Sequence, residues 1–283
     1  LIDGLAVVDK PAGWTSHDVV ARCRKIFGQK RVGHSGTLDP DATGVLLVGL
    51  GRVTRLLRFL TDLPKTYRGE VVLGTATSTL DASGDVVASF DMSGVSLDDV
   101  RRVVASSFVG EIDQVPPMVS AVQIGGKRLH ELARAGIEVE RQSRRVTIHR
   151  FDVVGVVGEV DAGVFEVDVT CSSGTYIRTL AADVGAALGG GAHLRNLRRT
   201  AIGSFSVTGA VGLDALGVDD VVPAVDALRD YPSVAVGEAQ ARDVSHGKRL
   251  EGLADGVVRV VGPAGDLLAV YEDGKPAVVI AAT

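Results

Sequence analysis

An α+β fold is predicted from three features of the 283-residue chain. Helical and strand periodicities follow one another without regular alternation, several strands come in direct succession, and the pattern changes near residue 230 to short β-rich pieces. The first helix begins at Thr15 or Ser16, with Val19, Val20, Cys23, Ile26 and Phe27 on one face, arginines and lysines on the other, and Gly28 as its stop. The apolar run VLLVGLG (45–51) is short enough for a buried strand. From about Thr66, a strand puts Tyr67, Gly69, Val71 and Leu73 on one side by its period of two. Ser96 and Asp99 have the spacing of a capping box and open a helix carrying Val100, Val103, Val104 and Phe108 inward. Residues 145–157 and 164–171 read as successive strands, and 175–188 as a helix. Beyond Tyr231-Pro232 come a short helix ending at Gly247 and strands near 257–261, 267–271 and 277–280, separated by Gly and Pro turns. A small separate barrel is expected there, giving domains at 1–229 and 230–283.

A hydrophobic content of 46% with 23% charged residues belongs to a soluble globular chain and excludes pervasive disorder. No apolar run approaches the roughly 20 residues that span a bilayer, and no secretory leader pattern is present, so a cytoplasmic protein without membrane contact is expected. Cys23 and Cys171 are too few for a disulfide framework or a thiolate zinc site, which leaves packing as their role.

The net charge of −5 argues mildly against a nucleic-acid partner, but the distribution of charge argues for one. Arg22, Arg24, Lys25, Lys30 and Arg31 follow one another with no intervening acid, and Arg52, Arg55 and Arg58 recur at helical spacing. Further clusters lie at Arg141, Arg144, Arg145 and Arg150, and at Arg195, Arg198 and Arg199, while the last fifty or so residues are net acidic. A segregated basic surface is expected.

One stretch, GHSGTLDPDATG (33–44), concentrates chemistry. Pro40 keeps Asp39 out of the helical region, so a loop presents this carboxylate, and the following strand anchors the loop to a sheet. By itself an Asp-Pro pair marks only a turn. Together with DKPAGWTSHDVV (9–20), however, the string resembles the TruB family of tRNA pseudouridine-55 synthases, whose signature is GHxGxLDPxAxGxL. The likeness continues in family order through PKTYRGEVVLG (64–74), TLDASG (79–84), CSSGTYIRTLAADVG (171–185) and AHLRNLRRT (192–200), covering essentially the whole chain.

The resemblance implies a pseudouridine synthase catalytic domain with a mixed, largely antiparallel sheet flanked by helices, and a C-terminal PUA-like RNA-binding domain. It implies that Asp39 is the nucleophile, that Arg178 pairs with it, and that Tyr67 stacks on the target base and takes part in proton transfer. His34 would fill the vacancy left in the RNA loop. Lys10, Pro11, Asp81 and Leu197 match family pocket positions that bind RNA or shape the base site. The chemistry is coherent. Breaking N1–C1′ and joining C5 to C1′ needs no redox step, and a carboxylate nucleophile divides the isomerisation in two. Sequence leaves open whether it attacks sugar or base.

Desolvation would raise the pKa of a buried Asp39, so a cation is needed, and a guanidinium at about 4 Å with an effective dielectric near 20 contributes roughly 4 kcal/mol before desolvation costs. An arginine in a first helical turn opposes the helix dipole, which suggests a placement for function.

No P-loop, dinucleotide glycine fingerprint, metal-spaced His pair or Cys-x-x-Cys is present, so neither cofactor nor metal is expected. The expected partner is the T arm of tRNA, met by a monomer without guide RNA. Two rivals stand beside this reading: a non-catalytic tRNA-binding or tRNA-folding protein on the same scaffold, and a hydrolase using His34 and Ser35. Adjacent strand residues point to opposite sides, which disfavours that dyad.

Overall fold

The computed structural model describes residues 1–120, 123–137, 139–159 and 163–280. It divides into two compact units, Leu1–Leu63 with Ala201–Thr283, and Pro64–Thr200.

In the first unit β1 (Gly4–Lys10) leads into α1 (Ser16–Ile26), β2 (Val32–Ser35) and β3 (Thr43–Leu50). β3 lies antiparallel to β1 on one side and to β2 on the other. Thr15 caps α1: its hydroxyl accepts from the Asp18 amide while the Asp18 carboxylate accepts from the Thr15 amide, satisfying two end groups reciprocally. The apolar run of β3 does not alternate because both faces are covered. Val19, Val20 and Cys23 of α1 pack on Ala6, Val8, Leu46 and Val48. On the other face Leu5, Val7, Val45 and Leu47 meet a 3₁₀ turn, Gly51–Leu56, and α2 (Leu57–Asp62).

Gly51 has no substitute in this turn. Its φ is +58°, and a Cβ there would fall 2.6 Å from the Ile2 carbonyl oxygen and closer still to the Asp3 carboxylate.

The second unit is a five-stranded antiparallel sheet with helices against it. In chain order it holds β4 (Lys65–Leu73), a hairpin of β5 (Thr75–Thr77) and β6 (Val86–Ser89), α3 (Leu97–Ser107), β7 (Gly110–Gln114), a two-residue hairpin β8 (Gln123–Ile124) and β9 (Lys127–Arg128), α4 (Leu129–Arg134), β10 (Arg144–Val156), β11 (Val164–Cys171), α5 (Ile177–Ala187) and β12 (Ala192–Ile202). The spatial order is β12-β4-β11-β10-β7. Val71, Leu73, Val167 and Val169 pack with Val100 and Val104 of α3 and with Leu180 and Val184 of α5. Ser96 and Asp99 form the expected capping box. Cys23 and Cys171 are both buried, which pushes each thiol up to about 11, so neither is a poised thiolate.

The chain returns to the first unit through β13 (Phe205–Ser206), then β14 (Val211–Gly212) and β15 (Val221–Pro223), which both pair with β1. It ends in β16 (Ser233–Ala235), α6 (Glu238–Ser245), β17 (Val257–Val261), β18 (Leu267–Glu272) and β19 (Lys275–Val279). The strands expected there exist, in a four-stranded sheet of order β16-β17-β18-β19. One face, with Val260, Leu268 and Tyr271, buries Val244 of α6; on the other, Leu267, Val270, Val278 and Ile280 join the cluster of Leu56, Phe59 and Leu60. β18 is apolar almost throughout, so it needs cover on both sides.

That docking claims the second arginine stripe. Arg52 donates to the Ile280 carbonyl at 2.8 Å and to the Asp3 carboxylate at 2.7 Å. Arg55 donates to the Val279 carbonyl at 2.6 Å, and Arg58 pairs with Glu272 at 2.9 Å while lying 4.2 Å from the Phe59 ring centroid. The spacing puts all three on one face, as expected, but they serve the chain's own carbonyls and carboxylates.

Candidate active site

Asp39 lies in the connection between β2 and β3, half-buried, and its loop is held on both sides. The Asp39 carbonyl accepts from the Ala42 amide at 3.1 Å, closing a turn in which Pro40 supplies the second position. On one side the Leu38 amide donates to the Ser16 hydroxyl at 3.0 Å, and that hydroxyl donates back to the Leu38 carbonyl. On the other side the Pro40 carbonyl accepts from the Gly13 amide and from the Lys10 ammonium, both at 2.9 Å. Leu38 itself is buried. A segment so tied presents its carboxylate without the conformational freedom of an ordinary loop, which lowers the entropy lost on meeting a substrate.

Lys10 is 0% exposed, at the end of β1 opposite Gly44. Its ammonium donates to the carbonyls of Pro11 at 2.9 Å, Trp14 at 2.6 Å and Pro40 at 2.9 Å. These three bonds use the donor capacity of an ammonium and offset the cost of burying it. Of the two roles offered for Lys10, this geometry fits shaping the site. Pro11 is exposed on the turn that Lys10 holds.

His34 stands on β2, half-buried, with its ring centroid 5.4 Å from that of His17 at an interplanar angle of 82°. Ser35 faces the opposite side, buried, sharing a 2.9 Å hydrogen bond with Thr61. A His34–Ser35 hydrolase dyad is therefore absent.

In the second unit Tyr67 sits on β4 opposite Val169, half-buried against the apolar cluster. Two residues along the same face, Gly69 leaves room that larger residues fill: a Cβ there would lie 3.3 Å from Leu194 and 3.5 Å from Leu197. Tyr67 and Leu197 are thus brought to one face of neighbouring strands β4 and β12. Beside them Glu70 accepts from Arg195 and from Asn196. Burial pushes its carboxyl up, but these partners outweigh that and leave it below the ordinary 4.5.

Arg178, the second residue of α5, is 5% exposed and no surface arginine. It donates to the carbonyls of Thr79 and Val119, each at 2.9 Å, and lies 3.6 Å from the Asp81 carboxylate. Asp81 in turn accepts from the Thr79 hydroxyl at 2.6 Å and from the Ser83 amide at 3.0 Å. Between them Leu80 takes a φ of +63°, a conformation disfavoured for L residues, and the loop is clamped to β12 through Leu80 and Ala82 bonds with Leu194. Sequence reasoning missed Gln114. This buried amide accepts from the Tyr176 amide at 2.7 Å and donates to the Tyr176 carbonyl at 3.0 Å, fixing the start of α5 and so the root of Arg178. A glutamine closing a strand before two prolines carries no signal of that kind.

Among the described residues no group of three or more His, Cys, Asp or Glu is arranged to hold a metal, and no helix is long and apolar enough to cross a membrane.

Residues 24–177 match the TruB family pseudouridylate synthase N-terminal domain. The chain belongs to the TruB family. Residues 178–222 match the tRNA pseudouridylate synthase B C-terminal domain, and residues 231–279 match the domain described as tRNA pseudouridine synthase II, C terminal. Similar proteins include tRNA pseudouridine synthase B of Mycobacterium sp. (strain KMS), 48% identical over 277 residues with 96% of this chain and 92% of that protein covered. That of Thermobifida fusca is 45% identical over 294 residues, covering 99% of each. Among solved structures, a Cbf5-Nop10-Gar1 complex aligns with a TM-score of 0.73 at 29% identity, covering 95% of this chain and 78% of that one. An H/ACA RNP bound to a substrate RNA containing 2′-deoxyuridine aligns with a TM-score of 0.71 at 26% identity, covering 95% and 77%. TruB membership makes the chain a pseudouridine synthase, an isomerase.

Proposed function

We propose that this chain converts uridine 55 in the T arm of tRNA to pseudouridine, with Asp39 as the nucleophile. The observation that carries the reading is the doubly tied loop: hydrogen bonds on Leu38 and Pro40 fix the backbone on either side of one half-buried carboxylate. The printed names of the similar proteins supply the substrate class. Position 55 rests on the likeness to the family signature around Asp39.

The target nucleotide leaves its stack, at a cost of a few kcal/mol, and enters the site. Asp39 attacks sugar or base, the N1–C1′ bond breaks, the base turns, C5 joins C1′, the bond to Asp39 breaks and returns its carboxylate, a proton leaves C5 and N1 gains one. Atoms and electrons balance without a cofactor. Arg178 keeps Asp39 ionised, Tyr67 stacks on the base, and Leu197 packs beside it, with stacking contributing about 1–3 kcal/mol toward the cost of extrusion. His34 fills the vacancy in the RNA. Asp81 acts through Arg178, and Lys10 and Pro11 act through the Asp39 loop. We assign residues 1–229 to the catalytic domain and 230–283 to a PUA-like RNA-binding domain, and the reaction to the cytoplasm. We also propose that it works as a monomer without guide RNA, in line with the similar proteins named tRNA pseudouridine synthase B.

The deciding experiment incubates the purified chain with an unmodified tRNA transcript, without added cofactor, and maps pseudouridine. Asp39→Asn and Asp39→Ala should abolish conversion while tRNA binding stays largely intact. Robust turnover by either variant removes Asp39 from the nucleophile's role. Binding without turnover by the unaltered chain would favour a tRNA-folding protein.

A further inference from the structure

We infer that Trp14 is a stacking platform for a nucleobase of the RNA substrate, standing beside the extruded nucleotide rather than receiving it. This rests on the reading of the chain as an RNA-modifying enzyme and assigns to that site a contact residue outside the set already named.

Trp14 is the only tryptophan of the chain, and it is 37% exposed on the turn between β1 and α1. A large ring left in water loses the burial that usually retains it, unless a partner covers it. The turn is joined to the Asp39 loop at several points. Gly13 donates to Pro40, the Lys10 ammonium bridges the Trp14 and Pro40 carbonyls, and Ser16 exchanges hydrogen bonds with Leu38. Residues 13–16 and 38–40 therefore form one backbone-linked body, and the place of Trp14 relative to Asp39 is fixed by the fold.

The surroundings select the partner. One residue beyond Ser16, the exposed His17 lies edge-to-face with His34, so the turn adds two further rings around the same loop. Beyond them Arg22, Lys25 and Lys30 are exposed, Arg22 3.7 Å from the Asp214 carboxylate, while Arg24 is held by the carbonyls of Lys30 and Val32. Aromatic rings next to cations form the pattern that single-stranded or splayed nucleotides use, bases on the rings and phosphates on the cations. An apolar protein partner would gain from Trp14 but would have to cover these charges.

The test uses Trp14 as its own reporter. Full-length Asp39→Asn protein, which binds without turning over, is titrated with an unmodified T-arm stem-loop while tryptophan emission and an independent mobility-shift assay are read together. Stacking predicts quenching that saturates at the concentration the mobility shift gives. A shift with unchanged emission overturns the proposal while leaving the enzyme reading intact; no shift and no conversion by the unaltered chain defeats both. Kinetics supply the second arm. Trp14→Ala and Trp14→Leu should raise KM about tenfold, more than kcat falls, while Trp14→Phe restores most of it. If Trp14→Leu matches the unaltered chain, the ring is mere apolar cover and the proposal is wrong. The emission arm needs no substitution at Trp14, so a variant that misfolds cannot shelter the idea.

Discussion

Two arginine-rich stretches give a similar signal in the sequence and are spent on the fold to different degrees. On α1, Arg22, Arg24 and Lys25 all stay exposed, although Arg22 lies 3.7 Å from Asp214 and Arg24 donates to the carbonyls of Lys30 and Val32. Around the 3₁₀ turn and α2, Arg52, Arg55 and Arg58 recur at helical spacing, and each is spent on the chain itself: Ile280 and Asp3, Val279, and Glu272. What separates them is what lies opposite. α1 lays its apolar side on β1 and β3, whereas the second stripe meets the end of β19, the outer strand of its sheet. A guanidinium is as well suited to a backbone carbonyl as to a phosphate, so charge spacing reports that a partner exists without naming it.

The largest effect that would sharpen this contrast is on RNA affinity. Arg22→Ala, Lys25→Ala and Lys30→Ala combined should weaken tRNA binding roughly 100-fold near 0.1 M salt and reduce the slope of log affinity against log salt by about 2–3, with thermal stability unchanged. Arg24 is left alone because it donates to the carbonyls of Lys30 and Val32. Affinity that survives the triple change with its salt slope intact would show that α1 is an ordinary solvated face.

The reverse should hold for Arg52. Arg52→Ala removes two charge-assisted bonds from a side chain that is 42% exposed, so after solvent screening about 2 kcal/mol of stability should go, lowering Tm by about 4–8 °C. The salt slope of tRNA binding should not move. A lost phosphate contact with unaltered Tm would return this stripe to the RNA surface and erase the comparison.

The same contrast explains what could be read in advance. Elements governed by local rules were legible: the capping boxes at Thr15–Asp18 and Ser96–Asp99, the stop at Gly28, and the period-two face of Tyr67, Val71 and Leu73 all appear where pattern predicts them. The family likeness names candidate site residues without their neighbours. It did not show that Lys10 is buried under three carbonyls, or that Gln114 holds the start of α5, because the Pro40 carbonyl lies 30 residues from Lys10 and Tyr176 lies 62 from Gln114. The setting of the C-terminal strands was not legible for a related reason: short strands between Gly and Pro turns do not tell that the second apolar face of β18 lies against Phe59 and Leu60.

The smallest effect tests whether the second stripe depends on its acidic end. Burial pushes the Asp3 carboxyl up, but hydrogen bonds from the Arg52 backbone and side chain, with the charges of Arg52 and Arg31, outweigh it and hold the group below its ordinary 3.8. A depressed folded pKa means that the stabilisation is fully present above the unfolded value and is lost as pH falls through the folded one. Arg52 should then lose one of its two anchors only as pH falls below the ordinary carboxylate range, while the Thr15–Asp18 cap leaves the basic face of α1 without such a dependence on Asp3. Asp3→Asn should lower stability at neutral pH and give a flatter pH dependence between about 2 and 4, with faster amide exchange in β18 and β19 and none of it in α1. Parallel pH curves for the two proteins would mean that the carbonyls of Val279 and Ile280, and not the carboxylate, hold the arginines in place, and the clamp would then be insensitive to acid.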